Sequence, residues 1–167
     1  MILKRDLLRQ LKKLDILYNE ALLSGDSDLP KYYSRLAVLE LGGWIEACMD
    51  ELAHCYPRRK RLRSISNKQY VNDVIDRNYG FSYKDNFRKI IKKVCGVVIL
   101  EKVENRMNAT RKQALESALS LLYPERNEHA HQTISRSPQF TAPSVCISLF
   151  KDIFDGLEDF EKHIKKM

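Results

Sequence analysis

The chain has 167 residues, 44% of them apolar and 31% charged. That balance suits one globular domain with its own core and excludes a disordered or staple-dependent chain. A formal net charge of +7 suits a nucleic acid partner and equally suits plain solubility.

Six glycines and five prolines leave no low-complexity linker, and no internal repeat is visible. Cys48, Cys55, Cys95 and Cys146 are scattered without a CxxC pair, so a zinc site of the usual spacing is not expected. No apolar stretch approaches the roughly 20 residues needed to span a bilayer. Lys4 and Arg5 lead into alternating apolar and charged residues rather than a signal-peptide run. The expectation is a cytoplasmic protein with reduced, mostly buried thiols, without metal, cofactor or membrane partner.

Apolar spacing predicts an all-α chain. Leu3, Leu7, Leu11, Leu14, Tyr18 and Ala21 fall at three- and four-residue intervals, and the Ser24–Asp28 cluster with Gly25 ends that helix. A second helix starts at Leu29-Pro30, with Asp28 as its cap. Its apolar face runs through Leu36, Ala37, Leu41, Trp44, Ile45, Cys48, Met49 and Leu52, and Pro57 closes it. Glu40 falls inside that face, so it supports a cleft or pairs with an arginine, the structural role being preferred. Gly42-Gly43 in mid-helix costs roughly 1 kcal/mol per glycine against alanine and predicts close approach of another backbone, internal or from a second copy.

Ser66 is expected to cap a short helix through Val71, Val74 and Ile75 that stops at Gly80. Another carries Phe87, Ile90, Ile91 and Val94 up to Gly96. Val97–Leu100 is read as a short helix or turn. Asn108 caps a helix through Leu115, Ala118, Leu119 and Leu122, and Pro124 marks a break or a new helical start. Residues 132–143 read as a polar loop. A last helix begins near Ser144 and buries Cys146, Leu149, Phe150, Ile153, Leu157, Phe160 and Ile164. The sum is a single domain over 1–167, an up-and-down bundle of about five to seven helices.

Two basic clusters stand out. Arg58, Arg59, Lys60, Arg61 and Arg63 form either an RNA-binding arm or a solvated loop, with no aromatic residue interleaved for stacking. Lys84, Arg88, Lys89, Lys92 and Lys93 form either a second RNA-binding patch or a solvated helix face.

The stretch Arg126-Asn127-Glu128-His129-Ala130-His131 carries the chemistry. Placed just after a helix start at Pro124, it would lie near free N–H groups and the positive end of the helix dipole, which suits a phosphate. Arg126 binds phosphate through a two-pronged fork, and a histidine moves protons near neutral pH. On a regular helix Arg126 and His129 share a face. His131 lies about 140° around the axis from Arg126 and comes within its reach only if Arg126 sits at the helix start. Spacing alone therefore pairs Arg126 with His129, with His131 as the alternative.

The same stretch resembles the Arg-x-x-x-x-His motif of the HEPN superfamily (higher eukaryotes and prokaryotes nucleotide-binding). Arg126-Asn127 and Ala130-His131 match its frequent form, late in a helical chain and before a last long helix. Leu36–Leu41 with Trp44-Ile45-Glu46 is similar in texture to the second helix of bacterial members. The chain departs from the family at Gln132, where glycine is frequent, and at Thr133, where one subgroup has tyrosine. The resemblance implies a metal-independent endoribonuclease of the toxin or defence kind, acting as a homodimer, with an antitoxin among its partners. It assigns proton transfer to His131, the scissile phosphate to Arg126 and hydrogen-bonding support to Asn127, with His129 as a helper or surface residue. Expected products carry a 2′,3′-cyclic phosphate and a 5′-hydroxyl. The alternative is a non-catalytic helical module that binds RNA, a nucleotide or a protein.

Overall fold

The computed structural model describes residues 4–131 and 141–167, with side chains from Asp6 onward. The places assigned to Leu3, to the loop over 132–140 and to Gln132 and Thr133 lie outside the described residues. Within them the chain is an all-α bundle: α1 (Lys4–Leu23), α2 (Leu29–Arg59), α3 (Ile65–Asp76), α4 (Arg88–Cys95), α5 (Val97–Glu104), α6 (Ala109–His131) and α7 (Pro143–Ile164). A π-helical turn, Tyr83–Phe87, leads into α4.

The four long helices make the framework. α7 packs against α1, α2 and α6, and α2 also packs against α1 and α6. α4 lies against α2, and α5 lies against α7. The seam is aromatic: Phe87 meets Phe160 edge-on at 4.7 Å, and Trp44 meets Phe150 at 5.0 Å. Phe87, Phe150 and Phe160 are fully buried, and each such ring contributes about 1.5–3 kcal/mol. At the α6–α7 crossing, an added Cβ on Gly156 would lie 2.5 Å from Leu115 Cβ, so the two helices approach closely there.

Helix ends depart from composition in instructive ways. Asp28 makes no cap bond; Asp26 Oδ1 accepts from the N–H groups of Asp28 and Leu29, both at 2.8 Å. Ser64, not Ser66, caps α3 by accepting from Asn67 N–H. α3 stops at Asp76, short of Gly80. Asn108 does cap α6, accepting from Arg111 N–H at 3.1 Å. Pro57 sits inside α2, which runs on to Arg59. There Arg61 takes a left-handed φ of 53°, and Leu62 N–H reaches Pro57 O at 3.1 Å, closing a Schellman end.

Two corrections bear on the site. Leu36, placed on the apolar face of α2, is 44% exposed. Pro124 neither breaks nor starts a helix, because α6 continues through it to His131. A proline in a helix interior removes one backbone hydrogen bond. Here the flanking turns stay helical, with Leu122 and His129 on either side of it buried.

The glycine pair divides in two. At Gly42 an added Cβ would meet Arg126 Cγ at 2.8 Å and Phe81 at 3.2 Å, so the close neighbour is a side chain rather than the backbone expected from sequence. At Gly43 it would meet nothing within 4 Å. Gly43→Ala is therefore expected to stabilise the fold by about 0.5–1 kcal/mol, through helix propensity alone. Urea titration should show a higher midpoint at unchanged slope. A lower midpoint would mean that something outside this protomer packs on Gly43.

Candidate active site

The Arg126–His131 stretch occupies the last turns of α6. It therefore sits at the carbonyl end of a helix, where the partial charge is negative and no free N–H groups point outward. No helix start lies at this stretch, contrary to the expectation at Pro124, so any phosphate must be held by side chains.

Those side chains do converge. Arg126, Asn127 and His131 line one groove of about 780 Å³, together with Glu46 and Asp50 of α2, Asp76 of α3, Tyr123 of α6, and Asn78, Tyr79 and Gly80 from the turn after α3. Arg126 bends across α2 over the bare Cα of Gly42, and its Nη2 donates to both carboxylate oxygens of Glu46, at 2.8 and 2.9 Å. Its Nη1 donates to Asn127 Oδ1 at 3.3 Å. That contact fixes the Asn127 amide so that its NH₂ remains to donate elsewhere. The guanidinium is thus fixed at one edge, with its charge compensated by Glu46.

The histidines separate. His131 is exposed and lines the groove. His129 is buried, and its Nε2 lies 3.5 Å from Glu125 Oε1. The same Glu125 oxygen accepts from Thr141 N–H at 2.9 Å, so Glu125 joins the end of α6 to the approach of α7. Helical spacing puts His129 on the side of Arg126, but the path over Gly42 carries the guanidinium toward Glu46 instead.

Spacing on α6 could not reveal the opposite wall, which is acidic. Burial, then Glu46, Asp76 and Glu51, push the Asp50 carboxyl up to about 6. One sequence signal existed: Gly42, Glu46 and Asp50 repeat at four-residue intervals, a single stripe along α2.

Other expected residues lie elsewhere. Glu40 is exposed in a separate groove between α1 and α2, beside Lys13 and Leu36, and takes no part in the Arg126 groove. Arg58, Arg59, Lys60, Arg61 and Arg63 cluster at the far end of α2, roughly 18 Å from Glu46 along the helix axis. Arg58 is paired with Glu51 at 2.7 Å, and Lys60 lies 5.5 Å from the Tyr56 ring centre. These cations complement the negative end of α2. In the second basic cluster, Arg88 is bound to the part-buried Glu104, its Nε at 2.8 Å, while Tyr83 donates to the same carboxylate at 3.0 Å.

Burial pushes the Cys48, Cys95 and Cys146 thiols up to about 12, so none of these three supplies a thiolate nucleophile. Among the described residues, no group of three or more His, Cys, Asp or Glu is arranged to hold a metal ion, and no helix is long and apolar enough to cross a membrane. Comparison with known protein families, curated proteins and solved structures returns no match to this chain.

Proposed function

We propose that the chain is a metal-independent endoribonuclease of the toxin or defence type, cutting single-stranded RNA at the Arg126–His131 groove. The observation that carries this reading is the gathering of Arg126, Asn127 and His131 in one groove, with His129 turned away. In the reaction, neutral His131 takes the proton of a 2′-hydroxyl. The 2′-oxygen attacks the neighbouring phosphorus, and the bond to the 5′-oxygen breaks. A proton from His131, or from the same residue of a second copy, completes the 5′-hydroxyl and leaves a 2′,3′-cyclic phosphate. Arg126 and the Asn127 amide stabilise the charge gathered on phosphorus. A homodimer with facing grooves, an antitoxin partner and a cytoplasmic setting belong to the same proposal.

One observation favours the alternative of a non-catalytic binding module: Glu46 already compensates the Arg126 charge. Activity separates the two readings. Purified protein is expected to cut a 5′-labelled single-stranded RNA in EDTA, leaving ends that polynucleotide kinase can phosphorylate at the 5′ side. Intact RNA, or cutting that requires added magnesium, would end the ribonuclease reading.

A further inference from the structure

Tyr79 is 81% exposed, yet its backbone is held in place. Asn86 Nδ2 donates to Tyr79 O at 2.7 Å. The next residue, Gly80, has a φ of +98°, and an added Cβ there would meet the Tyr123 ring at 2.8 Å. The turn is therefore docked while the Tyr79 ring stands in solvent. Burying an aromatic ring is favourable, so a pinned, exposed ring is a platform for a flat partner.

Tyr79 and Asn78 are walls of two grooves at once. On one side lies the Arg126–His131 groove. On the other lies a smaller groove of about 200 Å³, lined by Arg77, Lys89 and Lys93. These three cations are exposed and have no ion-pair partner among the described residues. Asp85 also lines this groove, but it is engaged at the start of the π-helical turn, where it accepts from Ser82 Oγ at 3.1 Å. Lys89 and Lys93 are one helical turn apart on α4 and face the same way.

We propose that this surface is a track for single-stranded RNA. One nucleobase stacks on Tyr79, and the phosphates on its far side run along Arg77, Lys89 and Lys93. Charge favours that direction. Asp50 on α2 and Asp76 on α3 repel phosphates from their part of the groove, whereas Arg77, Lys89 and Lys93 attract them beyond the ring. An aromatic platform beside a cationic groove is the combination that single strands bind, and a duplex, its bases already stacked, cannot use the ring. The basic run at the end of α2 plays no part. The track rests on the ribonuclease reading only for the end at which the strand is cut.

The test is fluorescence anisotropy with a fluorescein-labelled, 2′-O-methylated RNA strand, which cannot be cut by 2′-hydroxyl attack, alone and annealed to its complement. Tyr79→Ala is expected to weaken single-strand binding about tenfold or more, and Tyr79→Phe to restore it. Replacing both Lys89→Gln and Lys93→Gln should weaken binding and flatten the salt dependence by about 1.4 in log–log slope. Arg59→Gln with Lys60→Gln should change neither. The proposal is overturned if wild type does not bind, if the duplex binds as tightly as the strand, or if Tyr79→Ala and the lysine pair bind as wild type does. Tyr79-dependent binding without cleavage of unmodified RNA would end the ribonuclease reading and leave the track standing. Cleavage with affinity indifferent to all these changes would do the reverse.

Discussion

Arg126→Ala is expected to slow RNA cleavage by about 10²–10³-fold, and His131→Ala by about 10²–10⁴-fold, the ranges associated with losing a charge-stabilising donor and a proton-transfer group. Arg126→Lys should recover little, because an ammonium keeps the charge but not the planar fork that Glu46 and Asn127 hold. Positioning then becomes separable from charge. Glu46→Gln keeps an acceptor but removes the carboxylate, and Gly42→Ala pushes the Arg126 stem aside while leaving every charge in place. Each is expected to lower the rate by tens-fold or about a hundredfold, since misplacement of a reacting group by about 1 Å costs that much. Single-turnover rates at saturating protein measure the chemical step, and urea titration checks that folding is intact. Wild-type rates in both Arg126→Ala and His131→Ala would remove this groove as the site. A faster Glu46→Gln would recast the clamp as a restraint on Arg126.

The histidine question marks where sequence reasoning reaches its limit. Spacing along α6 gives the direction of each Cα–Cβ bond, and on that basis Arg126 pairs with His129. The guanidinium, however, lies several bonds from its Cα. Its course is set by Gly42 on α2, which leaves space for the Arg126 stem, and by Glu46 one turn further, which binds its tip. Neither partner is visible from within the motif. In the sequence only the family resemblance selects His131, and its place in the groove follows from tertiary packing.

The long helices were legible because their apolar residues recur at the helical period over several turns, and because Gly25 and Asn108 punctuate them. Pro124 was misleading. Its missing N–H suggests an end, but packing carries α6 through it, and the local electrostatics of the motif are reversed as a result. Composition favours caps at Asp28 and Ser66 over the actual ones at Asp26 and Ser64 for a different reason. Neighbouring residues there have equivalent chemistry, and only backbone geometry selects between them. Glu40 stands out in the sequence as a carboxylate among apolar residues, yet the stripe at the Arg126 groove is Gly42, Glu46 and Asp50 on another face of the same helix.

Asp50 provides the second large effect, on stability. Its carboxyl is raised from 3.8 to about 6, first by burial and then by Glu46, Asp76 and Glu51. The folded chain therefore holds this proton at pH values where the unfolded chain has released it. Stability must fall as pH rises from about 4 through 6, the opposite of the trend for a salt-bridged carboxylate. For a fully buried group the lift would correspond to about 3 kcal/mol. Asp50 is only half-buried, and solvent screening reduces the figure to about 1–2 kcal/mol. Asp50→Asn removes the charge and keeps the shape. It should be more stable than the unaltered chain by about that amount at pH 8, with the advantage shrinking toward pH 4, as read from paired urea titrations. A difference independent of pH would show that Asp50 titrates normally. The same charge opposes RNA: a phosphate entering the groove favours protonated Asp50, so binding should take up a proton and weaken as pH rises past 6, and Asp50→Asn should flatten that dependence. A carboxylate that destabilises the fold and repels the proposed substrate confines phosphates to the Arg126 side of the groove, and that confinement is the selectivity its removal is expected to relax.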